Sequence, residues 1–162
     1  MLRLVLSITF IAFTQGFVQA AEPDVSVPMH SRGAATYYVG AQFDGAPPAE
    51  FMVDTGSEYV VVDGQTIEFL KQAGQAAYSR SVAGIMANGA REVVPIYKVR
   101  LLRIGCCCIV RDVEAAVLSR SGRTIMGLSA LRKLAPIAIS LEPPRLSLSG
   151  CEAEPFPTVA ER

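Results

Sequence analysis

Phe51-Met52-Val53-Asp54-Thr55-Gly56-Ser57, followed by Tyr59-Val60-Val61-Val62, constrains this chain more than any other stretch. Two apolar, strand-like runs flank one carboxylate and a Thr-Gly-Ser turn, which places Asp54 at the tip of a tight loop between buried strands. Gly56 lets the backbone turn sharply and come close to whatever faces it. Thr55 and Ser57 bring hydroxyls that can hydrogen-bond a carboxylate or a partner loop. A carboxylate among so many apolar neighbours needs hydrogen bonds, an opposite charge or a proton, and such groups concentrate at functional sites. The competing reading of these residues alone is a turn aspartate bonded to its own backbone. The rest of the chain decides between the two.

With 162 residues, 51% of them hydrophobic, the chain can bury one core and not two. Thirteen Gly, ten Pro, no Trp and many Val and Ile favour β-structure. Fifteen Lys and Arg balance fifteen Asp and Glu, against the basic surplus of a nucleic-acid binder. Residues 1–20 read as a signal peptide. Arg3 precedes an almost wholly apolar run from Leu4 to Val18, and Val18-Gln19-Ala20 offers small residues at a cleavage site. The run is shorter than the ~20 residues that span a bilayer, so export to a periplasm or beyond is expected, with membrane attachment only if residues 4–18 stay uncleaved.

Cys106, Cys107 and Cys108 are consecutive, and Cys151 is the fourth cysteine. Neighbours on a strand face opposite ways, so a disulfide from Cys151 to one of the three is expected; closing roughly forty residues, it adds about 3–4 kcal/mol. Three ordinary buried thiols are the equal alternative. A metal site fits poorly, because consecutive Cys with His30 as the one histidine do not wrap a tetrahedral ion.

Residues 21–35 are polar and Pro-containing and read as a mobile leader in which His30 has no role. Strands are expected at Thr36–Phe43 and Ala49–Val53 around the Asp44-Gly45 turn, then at Tyr59–Val62, with a short helix over Gln65–Gln72 stopped near Gly74. Tyr78–Met86 and Arg91–Val99 flank Ala87-Asn88-Gly89 as a hairpin. Further strands are expected at Val99–Ile104, Cys107–Arg111 and Val113–Leu118, a helical turn or two at Leu128–Leu134, and a last pair at Ile137–Leu141 and Arg145–Leu148. Residues 151–162 read as a loose, Pro-containing tail. The fold class is mostly β with two short helices.

These elements resemble the retropepsin-like aspartic proteases over about residues 36–150, in particular their single-domain bacterial members. The likeness rests on an Asp-Gly hairpin leading into Asp54-Thr55-Gly56-Ser57, the Val60-Val61-Val62 strand and helix, the Ala87-Asn88-Gly89 turn, and Ile125-Met126-Gly127 followed by Leu128-Ser129-Ala130-Leu131. Asp-Thr-Gly alone recurs by chance; four features in order do not. The Cys triplet and the Pro-rich tail are not features of that family.

The resemblance implies a half-barrel whose active site is dimeric. Two carboxylates share one proton and activate a water. Asp44-Gly45 and Asp63-Gly64 lack the intervening hydroxyl residue, so the second carboxylate is implied to be Asp54 of another copy, on a two-fold axis. By the same resemblance, Thr55 interlocks with the partner loop, Gly56 donates its N–H to a carboxylate oxygen, and Ser57 bonds the outer oxygen of Asp54. Ala87, Asn88 and Gly89 form a flap over an extended peptide, and Ile125, Met126 and Gly127 pack beneath the loop. No metal or organic cofactor is implied. A non-catalytic peptide-binding scaffold with the same fold is the second reading, and a redox or metal role for the Cys cluster the third.

Overall fold

The computed structural model describes residues 25–33, 36–85, 89–118 and 122–153. The signal-peptide segment 1–20 therefore lies outside the described residues, as do Ala87 and Asn88 of the hairpin tip.

The chain is mostly β. Strands β1 (Val25–Pro28), β2 (His30–Ser31), β3 (Tyr37–Phe43), β4 (Ala49–Val53) and β5 (Val60–Val62) lead into helix α1 (Gly64–Gln72). Strands β6 (Ala76–Ile85), β7 (Arg91–Ile104), β8 (Cys108–Val117) and β9 (Thr124–Met126) follow. A four-residue helix α2 (Leu128–Leu131) runs into a 3-10 turn (Arg132–Leu134), and β10 (Ile137–Leu141), β11 (Pro144–Leu148) and β12 (Glu152–Ala153) complete the order.

The main sheet runs β12-β8-β5-β9-β4-β3-β7-β6, with β2 on β3, and an added β7–β8 pairing closes β8-β5-β9-β4-β3-β7 into a barrel. Alternation sets the inside: Val39, Ala41 and Phe43 of β3 and Phe51 of β4 are buried beside Val60 and Val62 of β5, while Val61 faces the other way. A smaller sheet, β1-β11-β10, contributes Val27, Leu146 and Leu148 to the same core. Helix α1 begins where Asp63 accepts the Thr66 N–H at 2.7 Å, a side-chain cap. It buries Ile67 and Leu70 against the barrel and stops at Gly74, φ 67°.

Three expectations are corrected. The supposed mobile leader contains β1, in register from Val25↔Leu148 to Pro28↔Arg145, and β2, with His30 opposite Tyr38. His30 is also paired with Glu50. Long-range pairing orders a segment whose own pattern is too short and polar to announce a strand. The supposed loose tail begins with β12, where Glu152 stands opposite Ile109. The strands expected separately between residues 91 and 118 are two long ones. β7 continues through Pro95, and β8 passes through Asp112 at φ 53°, a left-handed position that Asp tolerates better than most residues.

Candidate active site

Asp54 follows the last residue of β4, and its loop is built by β9. That strand lies between β4, to which it is parallel (Met52↔Ile125), and β5, to which it is antiparallel (Val61↔Ile125). The apolar pair Ile125-Met126 is therefore a ladder rung, with Met126 fully buried. The Asp54 N–H donates to the Met126 carbonyl at 3.1 Å, extending that ladder by one residue.

Past Asp54 the backbone reverses. Gly56 N–H donates to Asp54 Oδ1 at 2.8 Å, and Ser57 N–H to the Asp54 carbonyl at 3.3 Å. A Cβ on Gly56 would stand 3.1 Å from Asp54 Oδ1. Asp54 is half-buried, while Thr55 and Gly56 are exposed at the tip. Ser57 departs from its implied role: its hydroxyl donates to the Tyr59 carbonyl at 2.8 Å rather than to Asp54. That bond satisfies a backbone acceptor as the chain straightens into β5, and it leaves the Asp54 carboxylate with the Gly56 N–H.

Gly127 permits the crossing. A Cβ there would lie 2.0 Å from the Tyr59 carbonyl oxygen and 2.8 Å from that of Ser57. With no side chain in the way, Leu128 N–H reaches the Ser57 carbonyl and Ser129 N–H the Glu58 carbonyl, each at 2.8 Å. The start of α2 thus holds the far side of the loop, and β9 holds the near side.

Sequence reasoning gave no role to three contributors. Ser129 Oγ accepts the Val60 N–H at 2.9 Å and donates to the Glu114 carbonyl at 2.6 Å, joining β5 to β8 behind the loop. Its place at the start of a short helix, where serine commonly serves backbone groups, was the available signal. Arg80 on β6 grips the Glu114 carboxylate with both terminal nitrogens, one at 3.0 Å, and its Nη2 lies 3.3 Å from the Tyr59 hydroxyl. The hydrogen bond from Arg80 holds the Glu114 carboxyl below its ordinary range, and the same bond raises Arg80. No local pattern marks these partners, because they meet across three strands.

The β6–β7 hairpin stands over this region, paired from Ala76↔Val99 to Ile85↔Arg91. Gly89, φ 82°, is the described part of its tip. Its arms expose Tyr78, Ile85 and Val93. Between base and tip it packs Val82, Val94 and Ile96 with Val61, Ala116, Tyr59 and Ile125, a small second core beside the Asp54 loop. Two surface concavities, one including Gly40, Gln42 and Glu50 and one including Phe43, Phe69 and Thr124, lie off that loop. Away from the loop, at the β7–β8 turn, Cys108 is bonded to Cys151 and Cys106 to Cys107.

Comparison with known proteins gives the same frame. The solved retropepsin-like aspartic protease from Rickettsia conorii superposes with a TM-score of 0.53 at 18% identity, over 76% of this chain and 88% of that one. No curated protein matches. The family model of the gag-polyprotein putative aspartyl protease matches residues 39–133, from the middle of β3 to the turn after α2. Spanning more than half of the chain and every element that builds the Asp54 loop, that match makes this chain a member of the retropepsin-like aspartic protease family.

Proposed function

We propose that the chain is an aspartic endopeptidase whose active site forms from two copies, with one water held between their Asp54 carboxylates. The observation that carries this reading is the presentation of Asp54: half-buried, with Gly56 N–H on Oδ1, on a loop braced from both sides. The sequence has one such loop, so a single chain supplies half of a carboxylate pair.

Two carboxylates this close share a proton, because both cannot ionise together. The ionised one takes a proton from the water as oxygen attacks the peptide carbonyl. The protonated one gives its proton to the carbonyl oxygen. Collapse of the tetrahedral intermediate then releases the amine, which receives a proton from the pair. An extended peptide fits beside the β6–β7 hairpin through main-chain hydrogen bonds. The exposed Tyr78, Ile85 and Val93 offer it apolar contact, and closure of the hairpin excludes water. The apolar segment 4–18 with Ala20, together with two disulfides, supports an exported protein.

The test is cleavage of a peptide library from about pH 3.5 to 7, the span in which a carboxylate pair changes protonation. Asp54→Asn and a statine-type inhibitor serve as controls. Expected are cleavage that rises faster than linearly with protein concentration and a loss of at least about a thousandfold in the variant. Undiminished cleavage by Asp54→Asn, or none from a sample shown to be dimeric, overturns the reading.

A further inference from the structure

The β7–β8 turn carries chemistry that the proposed proteolysis does not use. Its two disulfides differ in what they do for the chain. Cys108–Cys151 joins residues 43 apart and ties β8 to the start of β12, and Cys108 is 1% exposed. A link of that span restricts the unfolded chain, which is how disulfides chiefly stabilise. Cys106–Cys107 joins neighbours that a peptide bond already holds at a Cα–Cα distance of 3.8 Å. It closes no loop of consequence, so chain entropy gives it no stabilising role.

Access differs as well. Cys106 is exposed and Cys107 half-exposed, in a turn that follows Gly105 at φ 59° and is closed by the Ile104↔Cys108 pair. Exchange requires a thiolate to reach a disulfide sulfur. The exposed Cys106 permits that approach; in the other bond Cys108 is buried and Cys151 is half-buried against the core.

We propose that Cys106–Cys107 is a reversible thiol–disulfide site for dithiol reductants, with Cys108–Cys151 kept as the structural link. A thiolate of the reductant attacks Cys106 Sγ and breaks the Cys106–Cys107 bond, and Cys107 leaves as a thiolate and takes up a proton. The second thiol of the reductant then attacks its own sulfur in the mixed disulfide and releases Cys106. The protein gains two electrons and two protons, and the reductant departs as its disulfide. The reduced pair also forms a ligand site for a trivalent arsenical: two thiols and one aryl-arsenic oxide give two S–As bonds and one water.

The position gives exchange a structural reach. Gly105 N–H donates to the Gly40 carbonyl at 2.9 Å. A Cβ on Gly105 would lie 2.9 Å from Val27 Cγ1, so β1 rests on this turn, while β12 pairs with β8 directly after it. The first and last described strands both dock where the exchangeable sulfurs sit.

The experiment titrates the purified, air-oxidised protein with dithiothreitol, traps thiols with N-ethylmaleimide and maps them by mass spectrometry. Expected are labels on Cys106 and Cys107 at a reductant concentration at least about tenfold below that needed for Cys108 and Cys151. The two-thiol form should keep its folded circular-dichroism spectrum and bind phenylarsine oxide one to one. Cys106→Ser/Cys107→Ser should bind none and retain Cys108–Cys151. Four labels appearing in one step, labels first on Cys108 or Cys151, or free Cys106 and Cys107 that resist a disulfide oxidant would each overturn the proposal.

Discussion

The backbone of Gly127 passes so close to Tyr59 that a Cβ on the glycine would sit 2.0 Å from the Tyr59 carbonyl oxygen. Both partners are fixed, one by the β9 ladder and the other by the hydrogen bond its carbonyl accepts from Ser57. Gly127→Ala must therefore displace backbone rather than a side-chain tip. The expected cost is about 3 kcal/mol, at the upper end for overpacking a tight interior, and the proposed proteolysis should fall with it because the Asp54 loop shifts. Denaturant unfolding measures the first effect. A variant as stable as the parent would show that the crossing is looser than described.

Ser129 tests the loop from behind. Its hydroxyl serves Val60 N–H and the Glu114 carbonyl at once, and Ser129→Ala leaves both without that partner. Such losses cost about 1–3 kcal/mol. Ser129→Thr, which keeps the hydroxyl, should recover most of the stability if its methyl is accommodated. Equal destabilisation by Ala and by Thr would assign the effect to packing instead.

Arg80 and Glu114 give the fold an acid sensitivity with a defined sign. The folded carboxyl of Glu114 titrates below its ordinary value because Arg80 bonds it. Its contribution is therefore complete above the unfolded carboxylate value of about 4.3 and is lost as pH falls through the folded value. Both side chains are substantially exposed, at 44% and 35%, so the effect is a slope and not collapse. Glu114→Gln should flatten the fall in stability between about pH 5 and 3, read by chemical denaturation at stepped pH. An unchanged slope would remove Glu114 from the account.

The residues legible in the sequence are those whose signal is local. Asp54-Thr55-Gly56 announces a turn, Val60-Val61-Val62 a buried strand, and Gly74 the end of α1, whereas the cap that Asp63 gives its start came only with the structure. Ile125-Met126-Gly127 was readable as an element, and its place between β4 and β5 came only with the pairing. What stayed hidden depends on distant partners. Val25–Pro28 becomes a strand because Leu146 and Leu148 offer it an edge and a core, and nothing in its own residues shows this. Ser57 misled in the opposite way. Its neighbour Asp54 is the obvious partner, yet the nearer unmet need is the carbonyl of Tyr59. Nothing next to Arg80 in the sequence singles it out; Glu114 and Tyr59 come within its reach only across the sheet.

The position of β9 also dictates when the Asp54 loop can exist during synthesis. Its acceptor at Met126, its donors at Leu128 and Ser129 and the hydroxyl that meets Val60 all come from a segment about seventy residues downstream. Until that segment leaves the ribosome or a translocation channel, Asp54 hangs on an unclosed turn. Chain segments of this kind fold late, because the entropy of bringing distant stretches together precedes any reward. A nascent chain interrupted before Leu128 therefore holds its carboxylate without the bonds that brace its loop, and the proposed proteolysis has to wait for that segment.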